Sequence, residues 1–187
     1  MKWKMILMTA LASVLAGCAS PSGGSGGVGT GEPNVYVSQE ADGVDKVGIL
    51  PFKAATTLIG SSVSDMFVTE LMKMNRYELV ERSQMSGVLG ETEVGLSGLT
   101  SGQAAQLGQM IGANGVIVGT VSEYETVAMG GRTYPVVGVS VRLIDSGTGK
   151  ILWSIDHSER GGRGDTLSQH ARIVVQHMAN ALNKQLR

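Results

Sequence analysis

The sequence predicts a single α/β domain over residues 46–187, built as a mixed β-sheet flanked by helices. Three observations point to it. Short apolar runs with strand spacing alternate with stretches of helical period up to about residue 112. Beyond that point three strand-like runs follow one another, the last two joined by a glycine-containing turn. A final amphipathic stretch closes the order β-α-β-α-α-β-β-β-α.

Ahead of the domain, Lys2 and Lys4 form a short basic start, and Met5 to Ala16 is an almost unbroken apolar run. That run is too short for a permanent membrane helix, which needs roughly 20 residues. Basic start, short apolar core and small residues before a cut are the anatomy of a signal peptide over residues 1–17. Leu15-Ala16-Gly17-Cys18 resembles the lipobox of bacterial lipoproteins. The resemblance implies that the Cys18 thiol is lipidated and that cleavage leaves Cys18 at the mature N-terminus. Ala19 follows it rather than Asp, which in the familiar enterobacterial sorting pattern favours an outer-membrane lipoprotein facing the periplasm.

Processing would leave 170 of the 187 residues, enough for one domain with a substantial core. It would also remove two lysines and leave 13 basic against 16 acidic residues. A nucleic-acid binder usually shows a basic excess, so nucleic acid is not an expected partner. With the single cysteine acylated, no thiol remains for a disulfide or a thiolate metal site. Residues 18–45 read as the lipidated N-terminus and a flexible Gly/Ser linker, spanning roughly 30 Å if the coil runs to Asp45. Within it, Val35 to Gln39 reads as a short edge strand.

The domain opens with the apolar run Lys46 to Phe52, stopped by Pro51 as a strand would be. From Leu58 to Met74 the period becomes helical, with Val63, Met66, Phe67, Val68, Leu71 and Met74 on one face. Tyr77 to Arg82 alternates as a strand, and a short helix is expected over Ser83 to Leu89. Gly90 to Gly98 reads as a loop. Thr100 and Gln103 then have the spacing of a capping box, followed by Ala104, Leu107, Met110 and Ile111, with Gly112 as the C-terminal cap.

Gly115 to Val121 reads as a buried strand that alternates onward to Tyr124. Val136 to Ile144 is the next, with Val137, Val139, Val141 and Leu143 on one face. Asp145 to Gly149 turns the chain, and Lys150 to His157 returns as the second arm of a hairpin. Gly161-Gly162-Arg163-Gly164 breaks that strand. Asp165 or Thr166 caps a last helix whose inward stripe is Leu167, Ala171, Val174, Val175, Met178 and Leu182.

These elements carry a recognisable series of phrases. Val47-Gly48-Ile49-Leu50-Pro51-Phe52, Leu79-Val80-Glu81-Arg82-Ser83-Gln84 and Gly98-Leu99-Thr100 lead into Leu107-Gly108 and Ile111-Gly112-Ala113. Ile117-Val118-Gly119-Thr120-Val121, Val141 to Asp145 and Gly147 to Trp153 follow in order. Together they resemble the CsgG family, the curli production assembly/transport proteins, over about residues 45–187. The resemblance implies a periplasmic α/β domain on the outer membrane, working in export or envelope assembly, open to homo-oligomer formation and to an envelope or secretion partner. The family's pore-forming members are oligomeric rings that add two membrane β-hairpins per subunit. Such a hairpin needs strands of about 9–11 residues each. Only Thr126 to Pro135, containing Gly130-Gly131-Arg132, separates the two candidate strands here, so pore hairpins are expected to be absent.

The remaining polar groupings have plain structural roles. Gly147-Thr148-Gly149-Lys150 lacks the glycine spacing and following Ser or Thr of a phosphate loop and reads as a hairpin turn. Arg163-Gly164-Asp165 reads as a loop and helix cap. His170 and His177 lie two helical turns apart, wider than the i, i+4 spacing of a metal pair, and His157 would join them only through the tertiary fold. All three are expected at the surface, with no metal or cofactor. Glu91 and Glu93 read as solvated charges, and Met66, Met74, Met110 and Met178 as core filler. Val94, Leu96 and Leu99 either pin their loop to the core or form a subunit or partner contact.

The expected function is therefore that of a non-enzymatic accessory or assembly factor for export or the cell envelope. A tethered regulator of a peptidoglycan synthase, resembling the penicillin-binding protein activators, is the alternative. An enzyme finds no convergent polar constellation in the sequence.

Overall fold

The computed structural model describes residues 31–80 and 99–187. The expected helix over Ser83 to Leu89 lies outside the described residues, as do Cys18, Glu91, Glu93, Val94 and Leu96. Six strands form one mixed sheet: β1 (Asn34–Val37), β2 (Lys46–Ile49), β3 (Glu78–Val80), β4 (Gly115–Met129), β5 (Arg132–Asp145) and β6 (Ile151–Arg160). Their spatial order is β1-β6-β5-β4-β2-β3. The helices are α1 (Thr57–Met74), α2 (Ser101–Met110) and α3 (Leu167–Gln185).

Connection length decides the strand directions. β2 and β3 are joined through α1 and run parallel, as strands with a helical crossover do. β4, β5 and β6 follow one another through tight turns and pair antiparallel. β2 also lies parallel to β4, so the parallel and antiparallel halves meet along β4.

The two faces of the sheet are covered unequally. α1 and α3 pack side by side on one face over the larger core, where Phe67, Leu71, Trp153, Ile155, Met178 and Leu182 are fully buried. On the other face α2 covers a smaller cluster of Leu50, Val80, Ala104, Leu107, Val116 and Ile144. Alternation along the strands supplies both: Val116 and Ile144 point one way, Ile117 and Leu143 the other.

Caps set the helix limits. Thr100 and Gln103 form the expected box at α2, and Thr166 with Gln169 forms another at α3. α1 starts on Thr56, whose hydroxyl accepts from the Ile59 amide, and stops at Asn75 in the left-handed region.

In the fold, the structure departs from the sequence reading in four places. The folded body starts before Asp45: the edge strand expected over Val35 to Gln39 is present as β1 and adds antiparallel to β6, a 3-10 turn over residues 39–43 follows, and Ala41 and Val44 are buried. The Gly/Ser composition has ended by Pro33, and β6 offers a free edge to the short alternation that comes after it. Second, Thr126 to Pro135 is a paired ribbon, with Thr126 opposite Pro135 and Met129 opposite Arg132. Gly130 and Gly131 both have positive φ, as the two central residues of a type I′ hairpin turn require. Third, β6 continues beyond His157 to Arg160.

Fourth, Met110 is exposed, whereas Met178 is buried and Met66 and Met74 pack against the core. The inward residues of α2 are Ala104, Ala105, Leu107 and Gly108, and at 100° per residue Met110 falls on the opposite side.

Candidate functional site

β6 carries a stripe of residues facing α3: Trp153, Ile155, His157 and Glu159, each two residues from the next. The first two are core. The second two are polar yet stay on the covered face, and the helix that covers them answers with its own histidines.

His157 Nε2 lies 3.1 Å from Glu159 Oε2, and His177 Nδ1 lies 2.9 Å from the same oxygen. The two imidazole rings are 6.1 Å apart between centroids. Seven residues earlier on α3, His170 Nε2 donates to the Glu159 carbonyl at 2.8 Å. Both helical histidines therefore meet Glu159, one at its main chain and one at its carboxylate. Gly161 allows His170 this close approach, because a Cβ at 161 would come within 2.9 Å of the ring.

Burial is graded across the group. The side chains of His157 and Glu159 are 4% and 12% exposed, against 49% for His177. His177 and Glu159 border a basin of about 560 Å³ between β1 and the last turns of α3, which Glu32, Asn34, Asn180 and Lys184 also line.

The electrostatics follow from these contacts. Burial alone would raise the Glu159 carboxyl, but hydrogen bonds from His157 and His177, with the nearby charge of His177 and His170, outweigh it. Its pKa is held below the ordinary 4.5. A carboxyl lowered on folding adds stability above its unfolded pKa and loses it as pH falls through the folded one. Thermal melts of the wild type and Glu159→Gln should therefore differ most above pH 4.5 and converge as the medium becomes more acidic. A gap that widens on acidification would contradict this assignment.

The expectation that the three histidines lie at the surface is corrected. His170 is 1% exposed and His157 7%, and only His177 is open to solvent. His170 and His177 do not make a pair, as their spacing indicated. The convergence missed from sequence is that of His177 with His157 and Glu159, whose donor atoms all lie within 4.8 Å of one another. The available signal was the two-residue period of β6, which carries two polar side chains onto an otherwise apolar face.

Gly147 to Lys150 is a turn in which Asp145 Oδ1 accepts from the Thr148 amide and hydroxyl, with Gly149 at positive φ. Arg163-Gly164-Asp165 is a loop held by the Gly162 amide donating to Asp165 Oδ2, and Thr166 is the cap. Leu99 is half-buried and packs against the cluster under α2. The β4–β5 ribbon overhangs the end of β6 by four residue pairs, Thr126–Met129 against Arg132–Pro135. Its side chains are largely exposed, with Arg160 stacked over Tyr134 at 5.0 Å.

The family model described as "Curli production assembly/transport component CsgG" matches residues 44–183. The PelC dodecamer from Paraburkholderia phytofirmans has a similar fold, with a TM-score of 0.58 and 19% identity over 78% of this chain and 92% of that one. Lipoprotein GNA1162 from Neisseria meningitidis is also similar, with a TM-score of 0.53 and 21% identity over 73% of this chain and 99% of that one. No curated protein sequence matches the chain.

Proposed function

Because the chain belongs to the CsgG family, we propose that it is a periplasmic lipoprotein of the outer membrane, held there by acylated Cys18. It acts as a non-enzymatic accessory or assembly factor in export or cell-envelope assembly, and it does so as a homo-oligomer docked on an envelope partner. The observation that carries this reading is the family match over residues 44–183, which takes in five of the six strands, α1, α2 and all but the last two residues of α3. The fold shared with a dodecameric protein supports self-association.

The overhanging ribbon is the natural element for contact with a neighbour rather than with lipid. Four residues of strand reach about 13 Å, against a hydrocarbon core of about 30 Å. No helix among the described residues is long and apolar enough to cross a membrane. Anchorage then rests on the acyl chains, each buried methylene adding about 0.8 kcal/mol.

The test joins fractionation to crosslinking in the native envelope. Wild-type protein should sediment with the outer membrane and give a ladder of self-crosslinked species. Cys18→Ser should release it into the soluble periplasmic fraction. Retention of the variant on the membrane would refute the anchor, and a chain that stays monomeric would refute the oligomer. Crosslinks to a peptidoglycan synthase alone would replace the assembly role with a regulatory one.

A further inference from the structure

We propose that His157, Glu159 and His177 form a binding site for a divalent transition-metal cation of the zinc class. The inference is independent of the family reading.

The donor set is the first reason. Two imidazole nitrogens and one carboxylate oxygen are a common three-ligand set for Zn²⁺, whereas Mg²⁺ and Ca²⁺ prefer all-oxygen sites. The geometry is the second. Donor atoms on a tetrahedral zinc, at 2.0–2.1 Å from the metal, stand about 3.4 Å from one another. Glu159 Oε2 is already 3.1 Å from His157 Nε2 and 2.9 Å from His177 Nδ1. A cation entering between them has to open these two separations by only a few tenths of an ångström. The remaining edge, between the two nitrogens, is no longer than 4.8 Å. His177, half exposed on the flank of α3, is the member of the trio with room to adjust it.

The supports are the third reason. His157 and Glu159 are fixed by the pleat of β6, which sends residues two apart to the same face. His170 holds the Glu159 main chain through its carbonyl, a second layer of contact of the kind that orients ligands. The buried pair closes the site from the core side, and the basin beside His177 leaves entry and a fourth coordination position open. The charged groups lining that basin, Glu32 and Lys184, are opposite in sign, so the carboxylate of Glu159 sets the local preference for a cation.

Each histidine directs one nitrogen at Glu159. With a cation in place those nitrogens give up the protons they share with Glu159 to solvent and donate lone pairs to it instead, each neutral ring then carrying its one proton on the nitrogen turned away. Within the trio only the His177–Glu159 hydrogen bond joins β6 to α3, and the cation would replace it with a centre held by two donors from β6 and one from α3. Zinc should accordingly raise the thermal stability of the whole body.

The experiment uses the full mature chain in detergent, without a histidine tag and stripped with chelator. Titration with Zn²⁺ should give one ion per chain, and Co²⁺ in its place should give the intense visible bands of a tetrahedral site. His177→Ala, at the solvent-facing position, should fold normally and bind Zn²⁺ more weakly by at least about 100-fold, since even supporting residues around a metal are worth 10–100-fold. Glu159→Gln should lose the tetrahedral Co²⁺ spectrum, and Mg²⁺ should bind to neither protein.

Absence of stoichiometric binding by the wild type would overturn the proposal. So would undiminished binding by His177→Ala, which would put the ion elsewhere on the chain. If the variants lower the melting temperature while added Zn²⁺ leaves the wild-type melt unchanged, the trio is a hydrogen-bonded strut and the proposal fails.

Discussion

Trp153→Ala should destabilise the domain by about 3–5 kcal/mol, the range for removing a large aromatic side chain from a core. Trp153 is fully buried on the α1–α3 face of β6, among the largest buried side chains of the described core. Its ring lies 6.4 Å from that of Phe67, and its indole N–H donates to the Tyr77 hydroxyl at 3.0 Å. Truncation therefore opens a cavity between sheet and helices and also takes a partner from a tyrosine that is only 8% exposed. Trp153→Phe keeps a six-membered ring but loses the pyrrole part and the hydrogen bond, so its cost should be smaller, about 1–3 kcal/mol. Urea denaturation followed by circular dichroism gives the comparison, because the substitutions remove the tryptophan signal. The sequence holds two tryptophans, and the other, Trp3, belongs to the segment read as the signal peptide. A loss below about 1 kcal/mol for Trp153→Ala would mean that the core refills the space, contrary to the packing described.

How much of this was legible in the sequence depends on how locally each element is determined. α3 was plain, because one stripe of six apolar residues repeats at helical spacing and its cap lies within four residues. The Thr100–Gln103 box was plain for the same reason. β1 was legible only as a short edge strand over Val35 to Gln39, and its place in the sheet was not. Four residues cannot establish a period, and the strand exists because Val35 and Val37 find partners at Ile155 and Trp153, far along the chain.

The β4–β5 ribbon was missed for a related reason. An exposed ribbon has no buried face to impose alternation, and Gly130-Gly131 looks like a break until the cross-strand partners show it to be a turn. The His157–Glu159–His177 group is tertiary in the strict sense, since it needs the register of α3 on β6. Spacing along α3 correctly separates His170 from His177, but it carries no information about His177 with His157.

Gly60→Ala should destabilise the protein even though it places a better helix former in α1. Alanine favours a helix interior over glycine by about 1 kcal/mol, and at an unobstructed site that gain would appear as stability. Gly60 is obstructed. A Cβ built there lies 1.9 Å from the Phe52 carbonyl oxygen and 3.0 Å from its carbon. Both atoms are main chain, so no rotamer change relieves the clash and the first turn of α1 must move away from the segment after β2. That segment is held from its other side: the Lys53 amide donates to the Gly119 carbonyl at 2.8 Å, and the Val121 amide donates to the Lys53 carbonyl. Overpacking of this kind costs about 1–3 kcal/mol, or more where the neighbours cannot yield. The immobile backbone argues for the upper end, leaving a net loss of about 2 kcal/mol after the helical gain. Gly102→Ala is the matched control, because it too lies in the first turn of a helix and has nothing within 4 Å of the added Cβ. It should stabilise by about 0.4–1 kcal/mol. The two alanines must therefore move the urea midpoint in opposite directions. If both stabilise, α1 does not press on the Phe52 carbonyl, and the close seating of its first turn against the strand exit is wrong.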